Sequence, residues 1–128
     1  MPIRTVLSLP LALTLCFSLD AHAASSTSDG RISVQQVIEM LDRAPTDPVA
    51  NQLLTAYLAG VGETAASMLQ FAAHTPLGVC EGRMQLSANE VRKALDAGAG
   101  VRADWTDTAA TPVLLDDMLR RANCRLVK

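Results

Sequence analysis

Residues 47–73 read DPVANQLLTAYLAGVGETAASMLQFAA, and the way this stretch folds decides the architecture. It opens on a helix start signal. Asp47 can cap the first free N–H groups, and Pro48 suits the first helical position, where no donor is needed. Leu54, Leu58, Val61, Ala65, Met68 and Ala72 then recur in steps of four and three, one face of an α-helix. Leu53, Tyr57 and Phe71 widen that face, so the expectation is a central core helix of about seven turns. Ala59, Gly60, Gly62, Ala65 and Ala66 interrupt it with almost no side-chain volume. A mid-helix glycine costs about 1 kcal/mol relative to alanine. Gly60 and Gly62, with Tyr57 beside them, are therefore expected to receive a closely packed neighbouring helix.

Upstream, the chain reads as an export signal over residues 1–23. Arg4 supplies a positive n-region, residues 6–19 are an apolar run broken only by Thr, Ser and Pro, and Ala21-His22-Ala23 has the small-x-small pattern of a cleavage site. The run is short for a membrane span. Cys16 lies inside it and no Cys stands at the cleavage point, which argues against a lipid anchor. Cleavage after Ala23 leaves a small polar segment, 24–30, expected to be a flexible tail, and a single domain over 31–128.

Arg4 and Asp20 leave together, so the net charge stays at −2. That balance gives no footprint for nucleic acid or an anionic membrane surface. Two of the three cysteines remain, Cys80 and Cys124, in a compartment that oxidises thiols. A metal site would need more ligands than these and a distant His, and a CxxC redox pair is absent. A Cys80–Cys124 disulfide is the expectation, with a stabilisation of about 4 kcal/mol in the chain-entropy model. Aromatics make up only 3% of the chain, so the core must be built from Leu, Val, Ala and Met.

Three further helices carry start signals. Ser33 with Gln36 forms a capping box flanked by Ile32 and Val37 at staple positions, and Val34, Val37, Ile38 and Leu41 make the stripe behind it. Ser87 with Glu90, flanked by Leu86 and Val91, repeats the device, with Ala88, Val91 and Leu95 inward and a stop at Gly98. Thr111 and Pro112 are expected to start the last helix, with Leu114, Leu115, Met118, Leu119 and Ala122 facing in. Asp116 and Asp117 precede Arg120 and Arg121 by four residues, the favourable order for helix ion pairs. Since no stretch alternates with period two, the fold class is an all-α bundle of four helices stapled by one disulfide.

The chemical inventory is thin. His74 is the one base candidate of the exported chain, and its place at a helix end suits a dipole partner or a surface residue. Met40, Met68, Met84 and Met118 form no clustered motif for copper, and Gly60-Val61-Gly62 lies within a helix and is no phosphate loop. Neither an enzyme nor a cofactor is indicated; a binding module is. Its most suggestive surface is the loop 98–110, GAGVRADWTDTAA, which holds the only Trp. Trp105 could serve the core, yet Arg102, Asp104, Thr106 and Asp107 around it suit a loop tip. Interface hot spots are enriched in Trp and Arg, which makes Arg102, Asp104, Trp105 and Asp107 the candidate partner-binding residues.

AYLAGVGETA at 56–65, Val79-Cys80, the capped helix after it, and LLDDMLRRANC ending at Cys124 resemble the Rap/Tai family of type VI secretion amidase-immunity proteins. That pattern runs as a GYxxGxxDA helix, an apolar-Cys-x-Pro turn, a QLvxxVxxYL helix and a last helix ending in FPC. The likeness spans nearly all of the exported chain. Ala56 stands for the family's glycine, Glu63 for its aspartate and Asn123 for its proline. Leu41 and Leu54 stand about where members carry a second cysteine pair, so an apolar contact is expected there. The loop 99–110 differs from the family's charged, proline-bearing segment.

The resemblance implies a periplasmic immunity protein that binds a kin-derived peptidoglycan amidase and blocks its active site by occlusion. It implies no cofactor and no chemistry of its own, and a homodimer is compatible with it. Trp105, Asp104 and Asp107 would then contact the toxin, the acidic side chains meeting basic groups of a cysteine-amidase cleft. A small periplasmic holdase chaperone of the acid-stress type is the competing reading. It would favour many interface carboxylates, and this chain has an ordinary number.

Overall fold

A computed structural model of the chain describes residues 26–73, 80–82 and 86–124, with side chains through residue 69 in the first of these segments. The expected export signal and cleavage point, His74 and Met84 lie outside the described residues. Those described are all-α: α1 is Val34–Arg43, α2 Pro48–Ala73, α3 Ala88–Gly98 and α4 Ala110–Arg121, with a short 3-10 turn at Arg102–Asp104 between α3 and α4. The helices form a ring in which α1 packs on α2, α2 on α4, α4 on α3 and α3 on α1.

Local chemistry explains most of the helix starts. Ser33 Oγ accepts from the Gln36 N–H while the Gln36 side chain accepts from the Ser33 N–H at 2.8 Å, and Ser87 and Glu90 repeat the exchange. The Ser87 N–H holds the Glu90 carboxyl below its ordinary value. Asp47 Oδ1 accepts from the N–H groups of Val49 and Ala50 at 2.9 and 3.2 Å, and these bonds, Ala50's foremost, depress the Asp47 pKa in the same way.

α4 departs from the expectation. It begins one residue before Thr111, with Ala109 at the N-cap and no side-chain cap. The backbone of the α1 entrance does the work instead: Ala110 N–H donates to Ile32 O at 3.0 Å, and Val34 N–H donates to Thr108 O at 2.8 Å. These paired bonds form an isolated antiparallel bridge between Ser33 and Ala109. Each helix thus has its first orphan donor satisfied by the chain leading into the other. The Thr111 hydroxyl, released from capping, lies 3.1 Å from the Tyr57 hydroxyl and joins α2 to α4.

The core sits where α1, α3 and α4 converge. Val34, Val37, Val91, Leu95, Leu114 and Met118 are all at most 2% exposed. α2 adds Ala50, Leu54, Val61 and Ala65, with Tyr57 and Leu58 half-buried. Leu41 and Leu54 are buried in the same cluster. The long helix is therefore one wall of the bundle and not its centre. The reason is length: at about 1.5 Å per residue α2 runs to about 39 Å, against roughly 15–18 Å for each neighbour. Beyond Ala65, Met68, expected inward, is half exposed.

Gly60 and Gly62 correct the expectation of close packing, because they flank the buried Val61 and lie off the face that α2 turns to the core. A Cβ at either would meet nothing within 4 Å. The close approaches fall on other glycines. A Cβ on Gly98 would come 2.8 Å from Val113 Cγ1, where α3 meets α4, and one on Gly82 would come 3.2 Å from the backbone of Ala122. Of the expected flexible tail, the described part is folded: Thr27 is buried, its N–H donates to Arg31 O at 2.9 Å, and Ser28 N–H donates to Asp107 Oδ1 at 2.8 Å. Asp29 pairs with Arg31 at 2.7 Å, and that bond, with one from the Thr27 hydroxyl, draws the Asp29 pKa down to about 2. Self-paired polar groups, which a loose tail would leave to water, hold this turn together.

The last helix is closed by a left-handed cap. Asn123 has φ 50, Asn123 N–H donates to Arg120 O and Cys124 N–H donates to Leu119 O, a Schellman pattern with Asn in the glycine position. A proline, its φ held near about −65°, could not take this place. The reversal turns Cys124 toward Cys80, and the two form a disulfide with Cα atoms 4.0 Å apart. Glu81 and Gly82 N–H groups both donate to Ala122 O at 3.0 Å, binding the Cys80 segment to the end of α4. The expected helix ion pairs form as well, Asp116–Arg120 at 3.0 Å and Asp117–Arg121 at 2.7 Å, and Arg121 reaches Glu90 on α3 at 3.1 Å.

Two stability measurements check this account. Gly60→Ala should raise the unfolding free energy by up to about 1 kcal/mol, because it adds helix propensity in open space. A loss would mean that something packs on Gly60. Reduction of Cys80–Cys124, which spans 44 residues, should lower stability by up to about 4 kcal/mol, read as a shift in the urea midpoint of reduced against oxidised protein.

Candidate protein-binding surface

In the loop singled out in the sequence, Trp105 turns inward while Arg102, Asp104, Thr106 and Asp107 stay exposed. Trp105 follows the 3-10 turn and is 4% exposed, within the same buried cluster as Leu95, Leu114 and Val34. This corrects its assignment as an exposed anchor. Its backbone carbonyl accepts from the Gln35 N–H at 3.1 Å, so the loop completes the first turn of α1 from outside. Arg102 lies with its guanidinium carbon 4.9 Å from the indole centroid, a cation–π lid over the ring, and reaches toward Asp96 at 4.0 Å. Asp107 is occupied by the Ser28 N–H, which holds its carboxyl below the ordinary value. The exposed Asp104 lends its backbone carbonyl to Asp107 and Thr108. Of the four residues proposed for partner contact, Trp105 is buried, while Arg102, Asp104 and Asp107 are exposed and also make contacts within the fold. Polar neighbours in sequence marked a loop, but not the direction in which its one aromatic side chain turned.

The surface that remains open lies on the other side of α1. A groove of about 290 Å³ runs between α1 and the start of α2. Its α1 wall carries Ile32, Gln36, Glu39, Met40 and Arg43, residues at helical spacing on one face. Its α2 wall carries Val49, Ala50, Leu53 and Tyr57. Val49 is 63%, Leu53 57% and Ile32 37% exposed, so three large aliphatic side chains stand in water within one trough. Scattered exposed aliphatics are ordinary on a soluble surface; contiguous ones rimmed by polar groups mark an interaction site.

The fold explains why the groove is open. α1 and α2 are joined by the short turn at residues 44–47, where Arg43 pairs with Asp47, and among the described residues α3 and α4 pack on other faces of the pair. Tyr57 closes one end, its hydroxyl tied to Thr111 and its phenol raised above the ordinary pKa by burial. At the rim, the Gln35 side-chain amide donates to Glu39 at 2.8 Å. The sequence held part of this signal. Leu53 beside Leu54, and Val49 beside Ala50, make the apolar set of α2 wider than one neighbour can cover.

Among the described residues no cluster of three or more His, Cys, Asp or Glu is arranged to hold a metal, and no helix is long and apolar enough to cross a membrane. The ion pairs of α3 and α4 engage Asp116, Asp117 and Glu90 with arginines.

The placement of Trp105 is open to direct measurement. Trp105→Ala should cost about 3–5 kcal/mol through the cavity it leaves. Trp105→Phe should cost much less, because Nε1 has no hydrogen-bond partner among the described residues and its loss is not penalised. Equal, small effects of both substitutions on the denaturation midpoint would return Trp105 to the surface.

In comparisons with known proteins, no family model, no curated protein and no solved structure matches this chain.

Proposed function

We propose that this protein is a periplasmic immunity protein that binds a type VI secretion peptidoglycan amidase effector and occludes its active site. The observation that carries the binding half of this reading is the α1–α2 groove, where Ile32, Val49 and Leu53 are exposed together on a small domain whose other charged faces are laced with ion pairs. A disulfide-stapled helical domain is suited to an oxidising compartment, where such a staple persists. The amidase half rests on the sequence resemblance, and two of the chain's departures from that pattern have local structural reasons. Asn123 supplies a left-handed cap that proline could not, and Leu41 and Leu54 fill the core where family members carry cysteines.

In this reading the interaction surface is the groove and not the Trp105 loop. Occlusion needs a rigid body more than reactive groups. The capping boxes, the reciprocal α1–α4 bonds and the disulfide supply that rigidity, so little ordering entropy is lost on binding.

The test uses the exported chain and a secreted Cys/His amidase encoded by a neighbouring gene. Addition of the protein in excess should stop release of peptides from purified peptidoglycan. Leu53→Glu should weaken the complex by at least about 2 kcal/mol, roughly thirtyfold in Kd, with the melting temperature unchanged because Leu53 is exposed. Undiminished amidase activity at saturating protein would remove the immunity reading. Full affinity in Leu53→Glu would remove the groove from it.

A further inference from the structure

We propose that the α1–α2 groove takes an amphipathic α-helix of a protein partner, about three turns long, with a Lys or Arg set over Glu39. This rests on the protein-binding reading of the same groove and adds the kind of element that enters it.

The walls decide between a helix and an extended segment. Both are α-helices, so their backbone N–H and C=O groups are spent along their own axes. An extended peptide laid in the trough would find no ladder to join, and its own backbone groups would face aliphatic side chains unpaired. A helix arrives with those bonds already made. Its apolar side chains at i, i+3 or i+4, and i+7 form a single row, the pattern by which helices fill hydrophobic grooves. The α1 wall from Ile32 to Arg43 is about 16 Å long at 1.5 Å per residue, which matches about three turns of a docked helix. Met40, on the trough wall, is unbranched and can adapt to aliphatic side chains of different shape.

Charge on the rim selects the flank of the incoming helix. Arg43 is paired with Asp47, and Asp42 with Arg92. Glu39 is contacted by a neutral donor, the Gln35 amide, and no cation lies within ion-pair distance of it among the described residues. It is thus the rim carboxylate left to meet a partner's positive charge, and at the border of an apolar trough such a pair sets orientation and choice of partner more than affinity.

The probe is a hydrocarbon-stapled three-turn helix with a row of Leu on one face and Lys on its flanks, labelled for fluorescence anisotropy and titrated with the intact exported chain. Three comparisons accompany it: Glu in place of Lys, the same composition interrupted by a central Pro, and the Lys probe against the Leu53→Glu and Glu39→Lys variants. We expect saturable one-to-one binding. It should weaken about tenfold or more for the Glu probe, for the Pro probe and for Leu53→Glu, and Glu39→Lys should reverse the preference between Lys and Glu probes. Absence of saturable binding overturns the proposal. So does equal binding of the Lys and Glu probes, or of the helical and Pro-interrupted ones. A dimer by light scattering that excludes the probe overturns it too, since a second copy would then be the occupant. Amidase inhibition without probe binding overturns the helix and leaves the immunity reading standing; probe binding without amidase inhibition does the reverse.

Discussion

Two helix N-termini that share their orphan donors hold this fold in register. An α-helix begins with N–H groups it cannot satisfy itself, and burying them unpaired costs roughly what a lost hydrogen bond costs. Here α1 and α4 start side by side. Val34 donates to Thr108 O, Gln35 to Trp105 O and Ala110 to Ile32 O. Ser33, fully buried, serves both as the α1 cap and as one half of the bridge to Ala109. If α4 moved away from α1, donors at both helix starts would be stranded. The loop between α3 and α4 must therefore pass close over α1, and that passage carries Trp105 inward.

The same arrangement assigns the chain's few aromatic and polar residues to structure. Trp105 fills the space beneath the loop, Arg102 lies over its ring, and Asp107 fixes the turn at Thr27–Arg31 through the Ser28 N–H. In a domain with aromatics at only 3% of its residues, the one Trp is the largest side chain available to close the core, and that use competes directly with display to a partner. At the opposite end the Asn123 cap and the Cys80–Cys124 bond fasten α4 to the segment before α3. The loop and the disulfide thus close the bundle at its two ends. Its open side falls between α1 and α2, the pair with a short turn and no third helix across it.

That open side is where structure and proposed function meet. Ile32, Val49 and Leu53 stand exposed because Ala50 and Leu54 beside them turn to the core and leave this face of the helix pair in water. Exposed aliphatic surface in a trough gains free energy when water leaves it, at roughly 25 cal/mol for each Å² covered, whereas the ion-paired faces of α3 and α4 offer little. The groove has apolar walls, and the Glu39 carboxylate on its rim has no cationic partner among the described residues.

Local rules written in the sequence determined a good deal of this protein. Ser33 with Gln36, Ser87 with Glu90, and Asp47 with Pro48 mark helix starts that need only three or four consecutive residues to form, and each forms where the sequence puts it. The i, i+4 ion pairs of α4 are equally local. The pairing of Cys80 with Cys124 was legible too, since the expected loss of residues 1–23 leaves each no other cysteine. What the tertiary structure decided was everything that depends on which elements end up adjacent. Thr111 looked like a cap but was displaced by the Ile32 carbonyl, a residue nearly eighty positions away in the chain. Gly60 and Gly62 looked like a packing notch, yet the helix turns Val61 between them into the core and leaves both glycines facing open space. Trp105 was open to a core or a loop-tip reading and lies in the core, whereas Leu53 looked like part of the core and is exposed. Periodicity places a residue on one face of a helix or in a loop, but burial is set by what lies opposite, and that is fixed only when helices of unequal length close around a common core.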